Sequence, residues 1–121
     1  MKRIALVEDN PDNRLLVQAI LEDLYEVTEY VTGEDALAGM HAQRPHLVLL
    51  DISLPAMDGT QVLAAMRRDD ALRALPVIAL TAHAMAGDRE RYLDAGFDEY
   101  LTKPIVDETL LLAAIRQLLP D

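Results

Sequence analysis

Short runs of apolar residues alternate along this chain with amphipathic stretches of helical period. Residues 4–7, 47–50 and 77–80 are continuously apolar, the pattern of strands buried on both faces of a parallel sheet. With flanking residues they predict strands over 3–7, 46–50 and 76–80, and residues 97–101 predict a further one. Residues 26–31 (Glu-Val-Thr-Glu-Tyr-Val) are more polar and read as an edge strand. Between the strands, apolar positions recur three and four apart. A helix opening at Pro11 is expected to bury Leu15, Leu16, Ala19, Ile20 and Leu24. Thr32 with Asp35 is close to a capping box and predicts a helix over 33–43. Gly59, Val62, Leu63 and Met66 share one face of a third helix. Behind the cap candidate Asp107, the residues Leu110, Leu111, Ala114, Ile115, Leu118 and Leu119 form the apolar stripe of the last. The stretch 84–95 differs: Gly87 in a helix interior costs about 1 kcal/mol relative to Ala, and only Met85, Tyr92 and Leu93 face a core. Few buried contacts mean low local stability, so this is the helix expected to move, although the residues are equally compatible with an ordinary solvated surface helix.

Strand and helix alternate five times, which predicts an α/β domain of three layers. The 121 residues suit one domain, 1–121. No cysteine is present, which excludes disulfides, a thiolate zinc site and a cysteine nucleophile. The net charge of −10 argues against direct binding to nucleic acid or anionic lipid. The longest apolar run, 110–115, is six residues against the ~18 needed to span a bilayer. The start, Met1-Lys2-Arg3, runs into a strand with no cleavage pattern, so a cytoplasmic location is expected.

Polar residues gather where the predicted strands end. Glu8, Asp9 and Asn10 follow the first, Asp51 the third, Thr81 the fourth, and Lys103-Pro104 the fifth. Open α/β sheets bind ligands at the carboxyl ends of their strands, near a topological switch point. If Glu8, Asp9 and Asp51 converge, each pair at ~4 Å repels by about 4 kcal/mol at an effective dielectric near 20. One lysine does not offset three carboxylates, so either one keeps a proton or a hard divalent cation completes the site. Mg²⁺ suits an acidic cluster that faces phosphate oxygens, and a carboxylate there is placed to attack phosphorus.

Glu8-Asp9, Asp51, the loop Pro55-Ala56-Met57-Asp58-Gly59, Thr81-Ala82, Tyr100 and Lys103-Pro104 together resemble the receiver domain of two-component response regulators. The ordered set spans nearly the whole chain. The resemblance implies a doubly wound, flavodoxin-like sheet of order 2-1-3-4-5. It implies that Asp51 is phosphorylated by the phosphohistidine of a sensor histidine kinase or histidine phosphotransfer protein. Asp9, Asp51 and the backbone carbonyl of Ser53 are expected to bind Mg²⁺ (Mn²⁺ can substitute), with Glu8 acting through a water. Lys103, Thr81 and the Ala82 N–H contact the phosphoryl group, Tyr100 switches with Thr81, and Ser53 and His83 tune its lifetime. The Lys103–Pro104 peptide is expected cis. A downstream protein target is implied, met through the fourth helix, fifth strand and fifth helix. The stretch Thr81-Ala82-His83-Ala84-Met85 is similar to stand-alone and hybrid-kinase receivers, and no output domain is expected in this chain.

Three rivals fare less well. A haloacid dehalogenase-type phosphatase needs an Asp-x-Asp after the first strand, where this chain has Glu8-Asp9-Asn10-Pro11-Asp12. A flavodoxin-like carrier needs a hydroxyl- and glycine-rich loop there, and a degenerate receiver would lack the acids, Thr81 or Lys103. Asp12, Asp58 and Asp107 are read as helix-start residues, and His41 and His46 as solvated turn histidines without a carboxylate partner. Arg67, Arg68, Asp69, Asp70 and Arg73 are read as a solvated helix end.

Overall fold

The apolar runs pair side by side in the computed structural model, which describes residues 1–82 and 85–120. Strands β1 (Arg3–Val7), β2 (Glu26–Tyr30), β3 (Leu47–Asp51), β4 (Val77–Thr81) and β5 (Glu99–Thr102) form one parallel sheet in the order β2-β1-β3-β4-β5. Helices α1 (Pro11–Leu21), α2 (Gly33–Ala42), α3 (Gly59–Arg67), α4 (Asp88–Ala95) and α5 (Glu108–Leu118) cover it. This is the doubly wound, flavodoxin-like arrangement the alternation and the resemblance led us to expect.

Period-two alternation divides the core between the two faces. Ile4, Leu6, Leu49, Ile78 and Leu80 pack against Val17 and Leu21 of α1 and Leu111 and Ile115 of α5. Ala5, Val7, Val48, Leu50 and Ala79 face the other way, onto Met40 of α2, Val62 and Met66 of α3 and Tyr92 of α4. Strands β3 and β4 are buried along their whole length, which is why they read as unbroken apolar runs, whereas β2 is half-exposed at the edge.

Helix starts follow local chemistry. Thr32 Oγ1 accepts the Asp35 N–H at 3.1 Å, and Asp58 and Gln61 form a reciprocal capping box at α3. The Asp107 side chain caps α5. The cap of α1 is Asn10, whose side chain accepts the Asp12 and Asn13 N–H groups, so Asp12 stands in the first turn rather than at the cap.

Several expectations need correction. The buried side of α1 is Val17 and Leu21, whereas Leu15, Leu16 and Leu24 are exposed, as is Leu110 on α5. Helix α4 begins at Asp88, and Gly87 precedes it at φ 86° in the left-handed region, so no glycine weakens the helix interior. Met85 is exposed, not part of the core. Arg67 is no solvated end: Nη1 donates to the carbonyls of Arg73 and Leu75, and Nη2 to Gly96 O and Asp98 Oδ2. It ties α3 to the segments entering β4 and β5. His41 does have a carboxylate partner, Asp69, and His46 Nδ1 accepts the Arg3 N–H at 2.9 Å.

Candidate functional site

Two strand ends differ from expectation in a way that matters chemically. Asp51 and Thr81 are the last residues of β3 and β4 rather than the first of the following loops, paired in register with Leu80 and Thr102. The sheet ladder therefore fixes their backbones. Gly59 extends this support, because its N–H donates to Ile52 O at 3.0 Å and seats the start of α3 directly on the end of β3.

The carboxylates of Glu8, Asp9 and Asp51 converge, with one oxygen from each lying within 4.8 Å of the others. Glu8 and Asp51 are buried and Asp9 is exposed. Between the buried pair stands Lys103, its Nζ 2.9 Å from Glu8 Oε1 and 3.0 Å from Asp51 Oδ2. Asp51 Oδ1 accepts the Ser53 N–H at 3.0 Å. Asp51 Oδ2, despite the ammonium beside it, has no well-directed hydrogen bond among the described residues. The Lys103 ammonium offsets its charge, but the oxygen's remaining lone-pair positions are unfilled and open to a further cation or donor. The loop after β1 is held by its own contacts: the Glu8 N–H donates to Tyr30 O, and Arg14 of α1 donates to the Glu8 and Asp9 carbonyls.

An open cleft of about 490 Å³ lies over these groups, and Asp9, Asp51, Ser53, Ala82, Lys103 and Pro104 line it. A groove of similar volume, about 480 Å³, lies near Lys2, His46 and Arg116 and carries no convergent carboxylates, so chemistry rather than size selects the first. Thr81 is buried beside the cleft. Tyr100 sits opposite Ala79 on the same sheet face as α4, stacked on Tyr92 with ring centroids 5.6 Å apart. The Lys103–Pro104 peptide is cis, as expected. His83 lies outside the described residues. Arg14 was not singled out by the sequence.

Burial, followed by the Asp51 carboxylate beside it, pushes the Glu8 carboxyl up to about 7, although Lys103 opposes the rise. Burial works against the Lys103 ammonium, yet its contacts with Glu8 and Asp51 raise it above its ordinary value. Without a metal, then, the first of the two alternatives applies: Glu8 retains a proton near neutrality. A carboxyl that binds its proton more tightly in the folded state stabilises fully below its unfolded value and loses that contribution as pH rises through its folded value. In EDTA, stability should therefore fall between pH 5 and pH 8 by at most about 3 kcal/mol on Glu8's account. His46, lowered chiefly by burial, acts in the opposite sense over part of this range. Comparing denaturation of wild type with Glu8→Gln isolates the effect, because His46 is common to both. Equal pH slopes in the two proteins would contradict it.

The residues fit a hard divalent cation: three carboxylates, two of them buried, offer oxygens within 4.8 Å of one another, and the single ammonium of Lys103 does not offset all three. Among the described residues, no helix is long and apolar enough to cross a membrane.

Known proteins resemble this chain in sequence and fold. The family described as response regulator receiver domain matches residues 4–116. The sensor protein GacS of Pseudomonas syringae pv. syringae is 42% identical over 118 residues, covering 94% of this chain but 13% of that protein. The polar-differentiation response regulator DivK of Brucella anthropi is 42% identical over 105 residues, covering 86% of this chain and 85% of DivK. The chain thus spans about an eighth of the sensor-kinase relatives and most of the DivK-type one. Among solved structures, the receiver domain of sensor histidine kinase PA1611 from Pseudomonas aeruginosa PAO1, described with magnesium coordinated in its active-site cleft, superposes with a TM-score of 0.88 at 37% identity, covering 99% of this chain and 98% of that one. With the family model matched over residues 4–116 and the doubly wound sheet order that goes with it, this chain belongs to the response regulator receiver domain family, the phosphoacceptor signalling modules of two-component and phosphorelay systems.

Proposed function

We propose that residues 1–121 form one receiver domain working as a phosphorylation-activated switch in the cytoplasm, with Asp51 as the phosphoacceptor. The observation that carries this reading is the buried Asp51 at the end of β3, its Oδ2 in contact with Lys103 yet without a directed hydrogen bond, beneath an open cleft. A carboxylate oxygen of Asp51 attacks the phosphorus of a phosphohistidine, on a sensor kinase or histidine phosphotransfer protein. A P–O bond forms as the P–N bond breaks, and the imidazole leaves with the electron pair and takes up a proton. The product is an acyl phosphate on residue 51. Asp9, Asp51 and the Ser53 carbonyl would hold Mg²⁺ (or Mn²⁺), with Glu8 acting through a water. When bound, the ion offsets the crowded carboxylates and draws the incoming phosphoryl oxygens to them. Lys103, Thr81 and the Ala82 N–H receive the transferred group, and Ser53 and His83 flank it and set how slowly it hydrolyses.

The switch follows from the same parts. Moving a 1:99 equilibrium to 99:1 takes about 5.5 kcal/mol. Two charge-assisted bonds, from Thr81 and Lys103, contribute about 1.5–3 kcal/mol each if the resting state lacks them. Lys103 at rest is already engaged with Glu8 and Asp51, so its new bond exchanges partners and contributes less than that full amount, and the shift is smaller than 1:99 to 99:1. As Thr81 turns toward the phosphoryl group, Tyr100 shifts into the space it leaves. That motion loosens the stacking on Tyr92, one of the two buried residues of α4, and alters the α4-β5-α5 surface that a downstream protein reads. No direct contact with nucleic acid and no membrane insertion are part of this reading.

Intact-mass measurement after acetyl phosphate treatment tests it. One phosphate should add in Mg²⁺ and none in EDTA, and Mn²⁺ should restore addition. Equal addition with and without a divalent cation would overturn the assignment.

A further inference from the structure

We infer that Arg14 is a positioning residue that sets the direction of the Asp9 carboxylate, and through it the affinity of the site for a divalent cation. This rests on the reading of Glu8, Asp9 and Asp51 as the metal-holding acids. Asp9 is the exposed member of that cluster, on a loop, with no strand ladder to hold it. Arg14 Nη1 donates to Glu8 O and to Asp9 O, both at 3.0 Å. The Glu8 carbonyl belongs to the peptide plane before the Asp9 Cα, and the Asp9 carbonyl to the plane after it. Holding both planes fixes both backbone dihedrals of Asp9, and only side-chain rotation remains free. The guanidinium is itself anchored from the far side, where Nε pairs with Glu29 Oε1 of β2 at 3.2 Å.

Two features distinguish this from an ordinary surface arginine. Arg14 follows the cap Asn10 by four residues, at the end of the first turn of α1, where a cation opposes the helix dipole. Its side chain is nonetheless only 20% exposed, spanning α1, the β1–α1 loop and β2. The planar guanidinium supplies rigid donors directed at fixed acceptors, which suits a brace better than a steering charge.

The two effects of removing it have opposite signs, which makes the inference testable. Losing a positive charge beside the acids strengthens cation binding, whereas losing the brace weakens it. Mg²⁺ affinity should be measured by titration calorimetry on wild type, Arg14→Gln and Arg14→Lys, with amide hydrogen exchange of the metal-free proteins alongside. Arg14→Gln should bind Mg²⁺ about tenfold or more weakly, in the range seen when groups supporting metal ligands are removed. Its Glu8 and Asn10 amides, bonded to Tyr30 O and Glu8 Oε2, should exchange at least about tenfold faster, while amides within β3 and β4 keep their wild-type protection. Arg14→Lys should recover part of both, since one ammonium can serve two carbonyls. Unchanged or tighter Mg²⁺ binding by Arg14→Gln, or unchanged exchange at residues 8 and 10, would overturn the inference. Absence of Mg²⁺ binding by wild type would defeat the metal-site reading instead, and the exchange data would still decide whether Arg14 holds the loop.

Discussion

Lys103→Met should destabilise the metal-free protein by about 3–5 kcal/mol at pH 8 and by less than half of that at pH 5. Methionine keeps most of the hydrocarbon stem, so the change is chiefly loss of the ammonium between two buried carboxyls, 2.9 Å from one and 3.0 Å from the other. At pH 8 the variant must leave Glu8 and Asp51 facing each other as anions or protonate one against the solvent pH. At pH 5 Glu8 already carries its proton, because burial pushes it up to about 7 even with Lys103 present. The ion pair with Asp51 and a hydrogen bond to a neutral Glu8 are then lost, but no second buried anion is left behind. Millimolar Mg²⁺ should restore part of the stability at pH 8. Chemical denaturation at the two pH values checks this, and a pH-independent loss would show that Lys103 acts by packing rather than by charge.

The second large effect is steric rather than electrostatic. A methyl group on Gly59 would collide with the Asp51 carbonyl oxygen and lie 2.8 Å from Ile52 Cα. Both obstacles are backbone, so no rotamer change relieves them. Overpacking of this kind costs about 1–3 kcal/mol or more, which outweighs the few tenths gained by putting alanine at the first helical position. Gly59→Ala should lose at least about 2 kcal/mol and slow phosphorylation from acetyl phosphate, because the strand end it displaces carries Asp51. Gly33→Ala is the control: there the collision is with a Val62 methyl, and the loss should be smaller. Equal losses would mean that close approach to β3 is not what Gly59 provides.

Much of this was legible in the sequence because it rests on short-range rules. Continuous apolar runs placed β1, β3 and β4, and side-chain caps placed the starts of α2, α3 and α5. Errors arose where three-dimensional neighbours decide. Helix α1 carries two rival apolar stripes, and only the sheet beneath selects Val17 and Leu21 over Leu15 and Leu16. Asp51 and Thr81 joined their strands because neighbouring strands continue the ladder beside them. The contacts of Arg14 and Arg67 reach carbonyls from several chain segments, which no local pattern encodes. The site itself was more legible than its supports, because charged groups at strand ends need a chemical reason wherever the loops go.

That reason can be tested at a single atom. Borohydride reduces an acyl phosphate to the alcohol, so treating the protein after acetyl phosphate and Mg²⁺ converts a phosphorylated aspartate to homoserine, which peptide mass spectrometry locates. Homoserine at position 51, absent in EDTA, is the predicted outcome. Homoserine at position 9, reduction at Glu8, or an adduct that resists borohydride would contradict the assignment of Asp51.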